Sequence, residues 1–123
     1  MMHSNLVCVV DDDESVRESL PGLLNSYGFV TCPFESAEAF LASDELTSAG
    51  CLVLDVSMPG MTGPELQIQL LNRQIDVGIV FITAHADAML EAQVLERGAV
   101  AFLLKPFTEE AIVKAVEAAL GRG

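Results

Sequence analysis

Five polar residues each stand directly after an apolar run of strand length or open the turn that follows it. Asp11 and Asp12 follow VCVV, Asp55 follows CLVL, Thr83 follows GIVFI and Lys105 follows AFLL. Three carboxylates, a hydroxyl and an ammonium gathered in one place are the parts needed for phosphoryl chemistry. The carboxylates would repel one another at close range, and a hard divalent cation bound through oxygens is the usual remedy. Mg2+ suits this role, or another divalent cation such as Mn2+, because it keeps some water and leaves coordination positions for phosphate oxygens. With the cation bound, Asp55 can attack phosphorus and become an aspartyl phosphate. Lys105 then offers a point charge to the transferring group and Thr83 a hydroxyl donor. Asp at a strand end is also a common turn former, and DDDE can be a solvated loop, so the case rests on the set and not on any one member.

For these residues to meet, the runs that precede them must be parallel strands with their carboxyl ends on one edge. Apolar runs recur at 6–10, 29–32, 51–54, 77–82 and 100–104, and the first, third and fourth are almost continuously hydrophobic. Strands covered on both faces of a parallel sheet read this way. Helix-like segments follow at 14–27, 37–46, 64–73, 87–97 and 109–120. Five alternations of strand and helix predict a doubly wound α/β domain, whose ligand site lies at the carboxyl edge where strand order reverses. Punctuation agrees: Thr62 and Glu65 have capping-box spacing, Pro64 fits an early helical position, Gly98 can close the fourth helix and Thr108 can cap the fifth. Pro21 and Gly22 fall inside the first helix, where Pro removes the hydrogen bond to Arg17, and a kink or local break is expected there.

The 123 residues fit one domain, which can bury roughly two-thirds of the surface its unfolded chain exposes, so neither disulfides nor a structural metal is needed. No apolar run approaches the about 20 residues that cross a bilayer. The start, MMHSNLVCVVDDD, lacks a basic segment before its apolar stretch and meets acids too early for a signal peptide, so a cytoplasmic protein without membrane contact is expected. Cys8 and Cys51 lie in strand-like runs and should be buried thiols. Eighteen acidic against six basic residues give a net charge of -12, which repels phosphate backbones and argues against direct nucleic-acid contact by this domain.

The segments VVDDDESVR (9–17), LVLDVSMPGMTG (52–63), FITAHAD (81–87) and GAVAFLLKPF (98–107) together resemble the receiver domain of two-component response regulators, along essentially the whole chain. The resemblance implies a flavodoxin-like (CheY-like) fold: a five-stranded parallel sheet in the order 2-1-3-4-5 with five surrounding helices. It implies that Asp55 is the phosphoacceptor, serving a sensor histidine kinase or a small phosphodonor, and that the domain catalyses its own aspartyl phosphorylation and dephosphorylation. Asp11, Asp12 and Asp55 would hold Mg2+ with the main-chain carbonyl of Ser57. Thr83 matches the switch hydroxyl, Lys105 the phosphoryl-binding lysine and Phe102 the aromatic switch residue, and the Lys105–Pro106 bond matches one that is characteristically cis. On phosphorylation Thr83 can move to the phosphoryl group and vacate space into which Phe102 turns from solvent. Reversing such a two-state population needs roughly 5 kcal/mol, within reach of a few charge-assisted hydrogen bonds.

Ser57 and His85 occupy positions that, in the resemblance, border the phosphoryl group and modulate its lifetime. Ala101 replaces a common acid, and His3 lies near a terminus with no expected role. In DAMLEAQVLER, Met89, Leu90, Ala92, Val94 and Leu95 cannot all share one buried stripe, so part of the fourth helix should show apolar surface. In receivers the fourth helix, fifth strand and fifth helix form the output and dimer surface, which implies a partner or homodimer contact there.

Two related folds fit less well: a flavodoxin-type module needs a hydroxyl-rich phosphate loop where DDDE stands, and a haloacid-dehalogenase-type phosphatase needs a second Asp where Ser57 stands. The serious alternative is a receiver-like, phosphorylation-independent interaction module. The complete set of Asp11, Asp12, Asp55, Thr83 and Lys105 speaks against it. Residues 1–123 read as a single receiver domain with no effector region after AVEAALGRG, either free-standing or part of a longer regulator. FESAEAFL and GAVAFLLKPF look most like receivers that precede LuxR-type DNA-binding domains, which favours a transcriptional output.

Overall fold

A computed structural model describes residues 4–121, and His3 lies outside them. Strands and helices alternate as β1 (Leu6–Val10), α1 (Glu14–Ser26), β2 (Val30–Phe34), α2 (Ala37–Leu41), β3 (Cys51–Asp55), α3 (Gly63–Asn72), β4 (Gly78–Thr83), α4 (Ala88–Glu96), β5 (Ala101–Leu104) and α5 (Glu109–Gly121). All strand pairs are parallel and the sheet order is β2-β1-β3-β4-β5, as expected for the doubly wound fold. Residues of β1, β3 and β4 are buried almost throughout, because helices cover both faces. Alternate residues serve opposite layers. Cys8 and Val10 join Phe40, Leu66 and Val94 beneath α2, α3 and α4, while Val7 and Val9 join Leu24, Ile112 and Val116 beneath α1 and α5. Each such fully buried aliphatic or aromatic side chain contributes about 1.5–3 kcal/mol, so the sheet centre is the rigid part of the domain.

The edge strands differ in kind. Partly exposed β2 carries Pro33, which a sheet tolerates at an edge because no neighbour requires its missing N–H. At the other edge β5 is also partly exposed.

Local capping follows the sequence closely. Thr62 and Glu65 form a reciprocal capping box at α3, Thr108 Oγ1 accepts from Ala111 N–H at 3.0 Å, and Gly98 ends α4 with φ of 106°. Helix α1 runs through Pro21 without a local break, one of the two forms expected, since Leu20, Pro21 and Leu24 are buried and packing holds the turn despite the lost hydrogen bond. One expectation needs correction. The second helix does not reach residue 46: it ends at Leu41, and a 3-10 turn follows over Asp44–Thr47. The Ser43 hydroxyl and N–H both bond to the Phe40 carbonyl, the local competition by which Ser ends a helix.

Cys8 and Cys51 are buried free thiols, and burial pushes both up to about 12; Cys32 is partly buried and also free. Among the described residues no helix is long and apolar enough to cross a membrane. On α4 only Val94 is fully buried, Met89 is 75% exposed, and Leu95 on the same helix and Leu104 on β5 are also exposed. The expected apolar surface on the fourth helix is therefore present.

Candidate functional site

Pairing of β1 with β3 sets the centre of the site. Val10 lies opposite Leu54, so the next residues, Asp11 and Asp55, emerge side by side at the carboxyl edge. This is the point where strand order reverses, the place for ligands in open α/β sheets. Asp11 is fully buried, Asp55 nearly so, and Asp12 is exposed. One carboxylate oxygen from each of the three lies within 4.8 Å of the others.

Lys105, just past β5, reaches back over this cluster. Its Nζ lies 3.0 Å from Asp11 Oδ2 and 3.7 Å from Asp55 Oδ1, and the Lys105–Pro106 peptide is cis. Asp11 has further partners: its Oδ1 accepts the Asp13 N–H at 2.9 Å, and its carbonyl accepts from the Arg17 guanidinium at 2.9 Å. The Asp13 and Lys105 contacts fix the Asp11 carboxylate, whereas buried Asp55 has only the longer ion pair to Lys105 beside its contact with Asp11.

The electrostatics record that difference. Burial, then the Asp11 charge, raises the Asp55 carboxyl from 3.8 to about 7, with Lys105 offsetting part of the rise. For Lys105, burial alone would lower the ammonium, but the Asp11 hydrogen bond and the surrounding carboxylate charges outweigh it and leave it raised. One cation therefore leaves the cluster under-neutralised. An oxygen-only donor set of three acids, poised to gain from more positive charge, has the chemistry that a hard divalent cation requires.

Thr83 ends β4 and is buried, yet its hydroxyl is turned to the following loop. It donates to the His85 carbonyl at 3.3 Å and accepts the His85 N–H at 3.2 Å. Donating to a group on Asp55 would require giving up the bond to the His85 carbonyl. His85 and Ser57 are exposed on the loops after β4 and β3. Phe102 sits opposite Phe81 in the β4–β5 pairing, with ring centroids 6.5 Å apart. It is half-buried against the core cluster, so the expected turn from solvent starts from a ring that is already partly packed.

The family model of the response regulator receiver domain matches residues 7–117. The chain belongs to that family. The transcriptional regulatory protein FixJ of Azorhizobium caulinodans is 43% identical over 122 residues, covering 99% of this chain and 58% of the relative. Among solved structures, the response regulator StyR has a TM-score of 0.87 at 49% identity over 94% of this receiver and 58% of that chain. FixJ-N superposes with a TM-score of 0.87 at 38% identity over 100% of this receiver and 98% of that chain. The receiver spans little more than half the length of the curated relatives it matches. Its place among the receivers of two-component response regulators follows from the family.

Sequence reasoning left out three residues that shape this receiver's site. Asp13 and Arg17 brace Asp11 from the start of α1, and the first was signalled by the two-residue spacing of an Asx turn. The third, Glu38, bonds Met61 N–H across 23 residues, and no local pattern announces such a contact.

Proposed function

We propose that this receiver takes a phosphoryl group on Asp55 from a sensor histidine kinase or a small phosphodonor. The observation that carries the reading is the meeting of Asp11, Asp12 and Asp55 within 4.8 Å under a lysine 3.0 Å from Asp11. Asp11, Asp12, Asp55 and the Ser57 main-chain carbonyl hold Mg2+ or a similar cation. That cation supplies positive charge where the phosphoryl oxygens gather.

An Asp55 carboxylate oxygen attacks phosphorus, forming a new O–P bond while the bond to the donor breaks: P–N for a phosphohistidine, P–O for acetyl phosphate. The leaving group departs with its electron pair. Lys105 neutralises charge on the transferring group, moving its ammonium from Asp55 towards the new oxygens. Thr83 releases the His85 main chain and donates its hydroxyl to the phosphorylated Asp55. Phe102 then packs inward, which alters the surface formed by α4, β5 and α5. Ser57 and His85 flank the entrance and tune how long the phosphoryl group survives.

The altered surface controls an output, which we propose is transcriptional because the relatives include transcriptional regulatory proteins. Met89, Leu95 and Leu104 offer apolar contact area there for a homodimer or another partner. The whole chain acts as one receiver unit in the cytoplasm, and its acidic charge keeps this unit itself off nucleic acid.

The test is intact mass after incubation with Mg2+ and acetyl phosphate, with Asp55→Asn as control. One phosphoryl group gained by wild type and absent in the variant is the expected result. No gain under conditions that phosphorylate an active receiver would overturn the reading and favour the phosphorylation-independent module.

A further inference from the structure

The loop between β3 and α3 carries Ser57, and few hydrogen bonds hold its backbone to other elements. At its base the Gly63 N–H donates to the Val56 carbonyl at 3.0 Å, and Met58 is buried in the core. Beyond that base, Thr62 is tied into the start of α3: its N–H donates to Glu65 Oε1, its hydroxyl accepts the Glu65 N–H and its carbonyl accepts the Leu66 N–H. Met61 N–H donates to Glu38 Oε2 at 2.9 Å. Among the described residues, the Met61 bond is the one from residues 57–62 that reaches an element other than α3. The Glu38 carboxylate lies directly on the loop backbone: a Cβ added at Gly60, whose φ is 75°, would come within 2.5 Å of Glu38 Oε2.

Helix α2 anchors the backbone from which the exposed Glu38 side chain reaches. Its Ser36 cap accepts from Ala39 N–H at 3.0 Å, and Ala37 and Phe40 on either side of Glu38 are fully buried. The Met61 bond also keeps the Glu38 carboxyl below the usual carboxylate range, as a charge-assisted hydrogen bond should.

We infer that Glu38 is a positioning residue for the cation site: it latches the Gly60–Met61 backbone from α2 and so fixes the loop that presents the Ser57 carbonyl. The inference rests on the proposed reading of the acidic cluster. Glu38 acts through the backbone, so an uncharged acceptor of the same length serves in its place, whereas its removal frees the loop. Ordering a ligand before binding raises affinity by lowering the entropy lost on binding.

Isothermal titration of Mg2+ into wild type, Glu38→Ala and Glu38→Gln, with hydrogen exchange of the Met61 amide in the metal-free proteins, tests this. Glu38→Ala should weaken Mg2+ binding about three- to tenfold and speed Met61 exchange by a similar factor, as for the loss of one charge-assisted bond. Glu38→Gln should restore both. Its recovery separates positioning from a long-range charge effect, which both variants would share. Wild-type binding that Glu38→Ala leaves unchanged, or a loss that Glu38→Gln shares in full, overturns the inference alone. Wild-type protein that binds no Mg2+ overturns the reading of the site, and the inference falls with it.

Discussion

Removing the charge of Asp55 should stabilise the metal-free protein at neutral pH, although it destroys the proposed phosphoacceptor. Asp55 is buried beside Asp11, and its carboxyl stands at about 7 where the unfolded chain has 3.8. The folded state thus binds that proton more tightly than the unfolded state, so stability falls as pH rises from about 4 to 7. Each tenfold in proton affinity is about 1.4 kcal/mol, which sets a ceiling of about 4 kcal/mol. Solvent that reaches the cluster past the exposed Asp12 screens part of this, leaving about 2 kcal/mol. In Asp55→Asn the Lys105–Asp11 pair at 3.0 Å remains, and only the longer contact to Asp55 is lost. The variant should therefore melt about 5–10 °C above wild type in EDTA at about pH 7.5. The gap should shrink towards about pH 5, where wild-type Asp55 is largely protonated. Millimolar Mg2+ should raise the wild-type midpoint and leave the variant nearly unmoved, because binding to the folded state alone stabilises it. A variant no more stable than wild type at neutral pH, or a gap equal at both pH values, would refute the electrostatic account of the cluster.

Lys105→Ala strips fully buried Asp11 of its cation and should cost about 2–3 kcal/mol in urea unfolding without metal, the partial exposure of Lys105 keeping the loss below that of a wholly buried pair. Mg2+ should recover part of it, and a midpoint unchanged in EDTA would count against the pairing. Gly63→Ala places a Cβ 2.3 Å from the Asp55 carbonyl oxygen, so α3 must retreat; a loss of about 1–3 kcal/mol with weaker Mg2+ binding is expected, and wild-type behaviour in both would show that the approach is not tight. In native protein an aromatic disulfide reagent should reach Cys32 first, while Cys8 and Cys51 react only on unfolding; prompt release from all three thiols would contradict their burial.

Much of this receiver was fixed by local patterns. Continuous apolar runs identified the buried strands, capping signals at Thr62 and Thr108 marked helix starts, and polar residues at strand ends named Asp11, Asp12, Asp55, Thr83 and Lys105. Those features are legible because strand and helix periods, caps and turns depend on residues within a few positions of one another. Other features depend on how whole layers pack, which no local period encodes. Packing carries α1 through Pro21, and Ser43 with Asp44 replaces the last turns of the expected second helix. The pairing of the Thr83 hydroxyl with the His85 main chain follows from the loop after β4. Lys105 meets Asp11 across 94 residues and Glu38 meets Met61 across 23. The sequence determined which chemical groups reach the carboxyl edge of the sheet. Only the tertiary structure decided which of them touch, because a contact between distant residues is set by the rigid placement of one packed element against another.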